Sequence, residues 1–529
     1  MCLMQDLRSR LVSDLQSILV EKPGQTKYQL FSALGLIGWS GITTSDINSV
    51  LYSYRQHFTR STDTLPRWYN LSTSTPRAAR PHKTNLLFYA GPEPRDWQRE
   101  AFEAWKMAGR HGVVEAVTGT GKTAVGILAA ADAAQRGLRS FILVPSRDLL
   151  DQWYEKLVNE LPSLRIGRFG DGSTDELTDH NIIVGTVQSA YKYRMLPPSH
   201  RGLLVADEVH RYGADKFALA LESGFEERLG LTATYEREDD GVERHLRPYF
   251  FPLSGNYALG NEVVANCSYA RGLHDGILAH FKVHLIGVDF TSGEQSQYDE
   301  LDARVKHLRS HLIRQHDCPE RPYGEFMKAV SLLSEGGHGD FKGTNRARQY
   351  LAAFSKRRSL LADCNRKMDA LVALGKVLAG AERAIVFTET VSAAIVAARK
   401  LRELDIAAEA YTSELVRDTR KQLLSSFRSG STTVLAAPKV LDEGIDVPEA
   451  DVGVIVAASR SRRQMIQRMG RIIRPKSDNR QATFIVIYVR NTSEDPELGA
   501  HDAFLTEMVD NADEINRFSF SGRDAIPTI

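Results

Sequence analysis

The chain reads as an α/β protein with two parallel-sheet units in tandem. Three observations predict this. Between residues 86 and 253, short apolar runs (113–117, 141–144, 182–184, 203–206 and 229–231) alternate with helical stretches, the pattern of parallel strands with crossover helices. A second alternation begins near Lys282 and continues at 384–387, 433–436, 452–456 and 484–488. The glycine-rich segment AVTGTGKT at 116–123 lies between the strand-like run 113–117 and an Ala-rich helical run from Thr123. Glycines there let successive N–H groups face one concavity.

The bulk composition narrows the class. The 529 residues predict three or four domains, and 42% hydrophobic with 25% charged content is ordinary for a globular chain. Sixty-seven Lys and Arg against 66 Asp and Glu give a net charge of +1, so any basic footprint must be local. Four scattered cysteines (Cys2, Cys267, Cys318 and Cys364) contain no C-x-x-C pair, which speaks against structural zinc and a disulfide framework and fits a reducing compartment. No apolar run reaches a membrane span of roughly 20 residues. The N-terminus lacks the basic flank and apolar core of a secretory signal. The expectation is a cytoplasmic protein.

Residues 1–71 form the first unit. Leu7, Leu11, Leu15, Ile18 and Leu19 recur at helical spacing, and 28–34 reads as a second helix. Thr43-Thr44-Ser45-Asp46 reads as a helix start, with Ile47, Val50, Leu51 and Tyr54 on its buried face. Residues 58–60 and 67–71 read as short strands around a polar turn. Helices followed by a hairpin resemble a winged helix, which would present a helix to nucleic acid or to a protein partner. Residues 72–85, polar with two prolines, read as a linker. The first sheet domain then spans 86–255 and the second 256–529. The charged, helical stretch 292–366 is an insertion into the second.

The chemistry concentrates in four places. In the glycine-rich loop, the backbone of Thr118, Gly119, Thr120 and Gly121 would cradle phosphates, Lys122 would reach the β- and γ-phosphates, and Thr123 would hold Mg²⁺. In LVADEVH at 204–210 the carboxylates emerge at a strand's C-terminal end, where α/β sheets bind ligands. Asp207 would hold the Mg²⁺ shell and Glu208 would polarise the attacking water. Gln98, ahead of the loop, is the candidate for adenine, since an amide pairs with N6 and N7. In QMIQRMGRIIRP at 464–475, Gln467, Arg471 and Arg474 fall on one helical face, arranged for a triphosphate. Gly470 inside that helix is costly unless something approaches it closely. Together these call for ATP and Mg²⁺ as cofactors.

The set and its order over about residues 90–490 resemble the superfamily 2 helicases of the DEAD/DEAH-box kind: A-x4-G-K-T, D-E-x-H at 207–210, T-A-T at 232–234 and Q-x-x-G-R-x-x-R at 467–474. VLDEGIDVP at 440–448 looks like a further motif of the family. The resemblance implies two RecA-like domains with ATP between them, and Gly444 and Asp446 contacting ribose and phosphates. It also implies a nucleic-acid strand gripped by Arg147, Thr186, Gln188, Thr388 and Thr412. A narrower likeness rests on Arg237-Glu238-Asp239 directly after T-A-T, which is similar to the R-E-D element of XPB-type DNA helicases. In those it is implicated in opening duplex DNA, and the insertion 292–366 falls where they carry a thumb-like element. The implied activity is ATP-driven movement along DNA with 3′–5′ polarity, in repair or genome defence. An RNA-remodelling helicase and a double-stranded DNA translocase subunit of a restriction or phage-defence system stay open as alternatives.

Overall fold

The computed structural model describes residues 2–21, 25–26, 30, 33–34, 47, 50–51, 58–60 and 67–70 of an N-terminal unit. From 86 to 522 it describes all residues except 238, 252–262, 322, 337–339, 439–449, 457–468, 471, 474–479, 499, 501–504, 506–507 and 509–510. The chain divides into Met1–Asn85 and Leu86–Ile529.

In the N-terminal unit, α1 (Cys2–Glu21) buries Leu11, Leu15 and Leu19, the spacing read from the sequence, against Leu30, Leu34, Ile47, Val50, Leu51 and Phe58. The expected hairpin is present: β2 (Phe58–Arg60) pairs antiparallel with β3 (Arg67–Asn70). A third strand, β1 (Gln25–Thr26), pairs with the other edge of β3; two residues are too few to leave a pattern in the sequence. Tyr54 and the linker 72–85 lie outside the described residues.

The second unit holds two parallel sheets. The first has the order β11-β4-β10-β9-β5-β8-β6-β7. Its strands are β4 (His111–Ala116), β5 (Arg139–Val144), β6 (Ile166–Gly170), β7 (Ser173–Thr174), β8 (Ile182–Thr186), β9 (Gly202–Asp207), β10 (Glu227–Thr232) and β11 (Val263–Cys267). All pair parallel except the terminal hairpin of β6 and β7. The five predicted strands are its centre, because strands covered on both faces must be apolar throughout. The boundary expected at 255 is too early, since β11 pairs with β4 and carries the first sheet on to Cys267. Its sequence, Val-Val-Ala-Asn-Cys, is short, broken by Asn266 and half-exposed over most of its length, as befits an edge strand.

The second sheet has the order β14-β15-β13-β16-β17-β12-β18, parallel throughout. It is built from β12 (Phe281–Val288), β13 (Ala384–Phe387), β14 (Ala408–Ala410), β15 (Val434–Ala437), β16 (Val452–Ile455), β17 (Ala482–Val489) and β18 (Glu514–Phe520). Between β12 and β13 stand three long helices, at Ser292–Gln315, Tyr323–Glu335 and Phe341–Ala362. They enclose a core of their own, including Val305, Leu308, Leu312, Phe326, Val330, Ala347 and Tyr350. The first begins with a capping box between Thr291 and Glu294.

Candidate active site

The first sheet sets the site by strand order. β4, β10 and β9 are neighbours, with Thr232 opposite Glu115 and Leu231 opposite Asp207. The loops leaving their C-terminal ends, at 117–121, 233–241 and 208–213, therefore open side by side.

β4 runs through the loop into α2 (Lys122–Gln135), after an earlier helix at Asp96–Met107. Gly119 and Gly121 hold φ of 93° and 88°, the left-handed region that glycine reaches without a Cβ penalty. Thr120 folds inward and donates to the Val117 carbonyl at 2.7 Å. Lys122 Nζ donates to the Ala116 carbonyl at 2.9 Å, so the ammonium lies across the mouth of the loop. Thr123 is half-buried in the first turn of α2. Thr118 Oγ1 is buried with no hydrogen-bond partner among the described residues. A concave loop with paired positive-φ glycines, a lysine across its mouth and an orphaned hydroxyl fits a triphosphate.

Gln98 is buried and spent on the loop itself. Its Nε2 donates to the Thr120 and Gly121 carbonyls at 3.3 and 3.0 Å, and its Oε1 accepts from the Arg95 N–H at 2.9 Å. Arg95 Nη1 adds a bond to the Thr120 carbonyl at 3.1 Å. The amide expected to read adenine therefore braces the phosphate loop; its two N–H hydrogens are already used there.

Asp207 ends β9 with its carboxylate buried. Trp153 Nε1 donates to Oδ2 at 2.7 Å and the Glu208 N–H to Oδ1 at 3.0 Å. Burial pushes its pKa up, while the Trp153 bond and the nearby Lys122 charge pull the other way. A carboxylate desolvated beside a lysine suits a divalent cation, which removes that penalty. Trp153 reaches this position because Gly126, mid-helix in α2, leaves room: a Cβ there would lie 2.6 Å from the indole. Glu208 adopts φ of 51° and is partly exposed at the strand end. Its Oε2 lies 3.5 Å from His210 Nδ1. His210 Nδ1 also meets Thr232 Oγ1 at 3.0 Å, and Thr232 Oγ1 donates to the Thr234 carbonyl at 2.7 Å. His210 thus ties the acidic box to the T-A-T turn and acts as a link. Trp153, Arg95 and Gly126 were not foreseen as site residues; a lone glycine inside an Ala-rich helix was the available signal.

Arg237 and Asp239 were expected to meet a strand. They meet each other instead: Nε and Nη2 bond the two carboxylate oxygens at 2.6 Å each, and Nη1 donates to the His210 carbonyl. The Arg237 guanidinium holds the Asp239 carboxyl below its usual range. The fork is closed on itself and locked to the acidic box, so its charge is neutralised locally. Glu238 lies outside the described residues.

Of the other expected strand contacts, Arg147 is exposed and pairs with Asp171 at 2.9 Å. Gln188 is exposed and donates to the Pro145 carbonyl at 2.9 Å. Thr186, Thr388 and Thr412 are buried. The hydroxyl of Thr186 donates to Ser189 Oγ at 3.1 Å and that of Thr388 to the Thr390 carbonyl at 3.1 Å. Buried hydroxyls need partners, and these turns supply them for Thr186 and Thr388.

Among the described residues, the second domain meets the phosphate loop at Gly470. A Cβ built on Gly470 would overlap that of Thr118 and lie 2.9 Å from its Cγ2 and 3.0 Å from its Cα. The close approach that a glycine at 470 called for is the phosphate loop. Met469, Ile472 and Ile473 are buried in one cluster with Val117 and Ala233 of the first domain. A second tie is Arg271 Nη1 to Glu100 at 3.0 Å, with Nη2 to the other oxygen at 3.1 Å. Gln467, Arg471, Arg474, Gly444 and Asp446 lie outside the described residues.

Comparison with known proteins agrees with this geometry. Residues 91–237 match the type III restriction enzyme res subunit family, and residues 366–476 match the helicase conserved C-terminal domain. The chain is 27% identical over 406 residues to the DNA 3′-5′ translocase XPB2 of Sulfurisphaera tokodaii, covering 76% of this chain and 83% of that protein. It is 28% identical over 438 residues to the DNA 3′-5′ helicase XPB of Mycobacterium tuberculosis, covering 80% and 65%. It is 25% identical over 429 residues to the DNA 3′-5′ helicase XPB of Kineococcus radiotolerans, covering 78% and 63%. The matched region thus spans just under two thirds of the latter two proteins. A solved structure of S. cerevisiae Dbp5 bound to RNA and ADP BeF3 shares the fold, with a TM-score of 0.50 and 16% identity, over 81% of this chain and 90% of that one. Phosphate loop, acidic box and a second domain seated on the loop, taken with these matches, make the chain similar to the superfamily 2 helicases of the XPB type.

Proposed function

We propose that this chain is an ATP-driven DNA translocase or helicase that moves 3′–5′, working in the cytoplasm in DNA repair or genome defence. The observation that carries the reading is Gly470 against Thr118, because a site completed from two domains turns nucleotide binding into domain movement. The amides of Thr118, Gly119, Thr120 and Gly121, with Lys122, hold the triphosphate; Thr123 and Asp207 hold Mg²⁺; Glu208 orients the water. Bound Mg²⁺ neutralises charge developing on the phosphates. Arg471 and Arg474, sequence neighbours of the seated Gly470, supply positive charge to the triphosphate, Gln467 adds a neutral amide beside them, and Gly444 and Asp446 hold the ribose and phosphates. DNA and the 3′–5′ direction are taken from the names of the relatives. The winged-helix-like N-terminal unit is assigned to nucleic acid or a protein partner. Among the described residues no helix is long and apolar enough to cross a membrane.

A second reading, the motor subunit of a restriction-type defence system, is favoured by the match of residues 91–237 to the res subunit family. The test of the main reading is ATP hydrolysis measured with single-stranded DNA, duplex DNA and RNA as separate stimulators. Stimulation by either DNA is expected. Stimulation by RNA alone overturns the DNA assignment, and stimulation by duplex alone, without strand separation, favours the restriction-type motor.

A further inference from the structure

Directly after the short helix Val187–Ala190 comes Tyr191-Lys192-Tyr193-Arg194, two aromatics interleaved with two cations. The turn is fixed by its backbone, the Tyr193 N–H donating to the Ala190 carbonyl at 3.1 Å. Tyr191 is the inner ring, 6.4 Å from Phe217 and with the Lys216 ammonium 5.1 Å from its centroid. Tyr193 is the outer one. Its residue surface is 64% exposed, the ring propped edge-to-face on Phe169 of β6 at 5.5 Å and 80°. An exposed tyrosine held by a perpendicular neighbour keeps a π-face open at little entropic cost, since its orientation is already set.

The surroundings are cationic. Lys192 and Arg194 are exposed, Arg194 lying 3.3 Å from Glu222. On the other flank, Gly170, the residue after Phe169, packs against Thr186 and Ser189 and holds φ of 106°. Asp171, next along, carries the exposed Arg147. Phe169 and Tyr193 therefore meet at the C-terminal end of β6, where Asp171 brings in Arg147, while Lys192 adjoins Tyr193 in sequence with its ammonium 5.6 Å from the Tyr191 centroid.

We propose that Tyr193 is a stacking platform for an unpaired base, with Arg147 and Lys192 taking the flanking phosphates. The proposal rests on the nucleic-acid reading above and adds a contact that none of the helicase-like motifs contains. Every base has a π-face, so the platform holds strand without reading sequence. It requires an unpaired base, so it distinguishes single strand from duplex.

The test compares wild type with Tyr193→Ala, Tyr193→Trp and Lys192→Ala, using a short oligothymidylate and a blunt duplex as probes. Thermal melting and ATP hydrolysis without nucleic acid serve as controls for folding. Tyr193→Ala is expected to weaken oligothymidylate binding about 5- to 150-fold. It should leave duplex binding and the salt dependence unchanged, and Tyr193→Trp should restore affinity. Lys192→Ala should lower the salt slope by about 0.7. A Tyr193→Ala variant that binds the strand as tightly as wild type, or that loses strand and duplex equally, overturns the platform alone. A wild-type protein that binds neither probe overturns the nucleic-acid reading and the platform with it.

Discussion

Gly470→Ala is the sharpest test of a site shared between two domains. No positive φ is involved at Gly470, which lies in a turn, so the backbone itself accepts alanine. The cost comes from Thr118. The added methyl would lie 2.9 Å from Thr118 Cγ2 and 3.0 Å from its Cα, and overlap its Cβ. Carbon atoms settle at about 3.5–4.0 Å, and the overlap of the two Cβ atoms sets the shift, so the domains must part by about 1.5 Å or more. Misplacement of about 1 Å between catalytic groups costs on the order of 10²-fold in rate. Steady-state ATP hydrolysis should fall by about that factor, while melting temperature and binding of a fluorescent nucleotide to the first-domain loop change little. Thr118→Gly in the same chain removes the overlapping Cβ and should recover part of the loss, a coupling that a double-mutant cycle measures. Wild-type turnover in Gly470→Ala would mean that the second domain does not seat on Thr118 during catalysis.

Trp153→Phe removes the N–H that stabilises the Asp207 carboxylate, a bond to a charged group worth about 1.5–3 kcal/mol. The Asp207 pKa is already raised by burial, so protons compete with Mg²⁺ as pH falls through it; the variant raises it further. The Mg²⁺ needed for half-maximal hydrolysis should rise about 10- to 150-fold, and the acid limb of activity should move to higher pH; unchanged Mg²⁺ and pH profiles would sink the assignment. Glu208→Gln should bind nucleotide and not turn it over, and Arg471→Ala should lose about 10³-fold in kcat; normal hydrolysis in either removes that residue from the site. Away from the site, Lys367 is fully buried and bonds Glu494 at 2.6 Å. Lys367→Met leaves that carboxylate unpaired and should cost about 3–5 kcal/mol in denaturant unfolding, where a loss within about 1 kcal/mol would show that the pair is compensated.

The sequence by itself determined the parts that are local. Val113, Val114 and Ala116 next to Gly119, Gly121 and Lys122 suffice for a strand, a loop and a helix, because φ preference and apolar periodicity act over a few residues. The ten predicted strands of the two parallel sheets are legible for the same reason: they are covered on both faces, and continuous apolar runs say so. β6, β11, β14 and β18 lie on or near sheet edges, are partly exposed and blend with loops, and so the domain boundary at 255 came too early. The tertiary structure alone decided what each polar group faces. Gln98 braces Thr120 and Gly121, Arg237 closes on Asp239 and the His210 carbonyl, and Thr186 and Thr388 satisfy their own turns. Hydrogen-bond choice depends on which donor and acceptor the folded chain brings within about 3 Å, and no motif encodes that distance. Trp153 on Asp207 and Gly470 on Thr118 are contacts across 54 and 352 residues of chain, set by sheet order and domain closure.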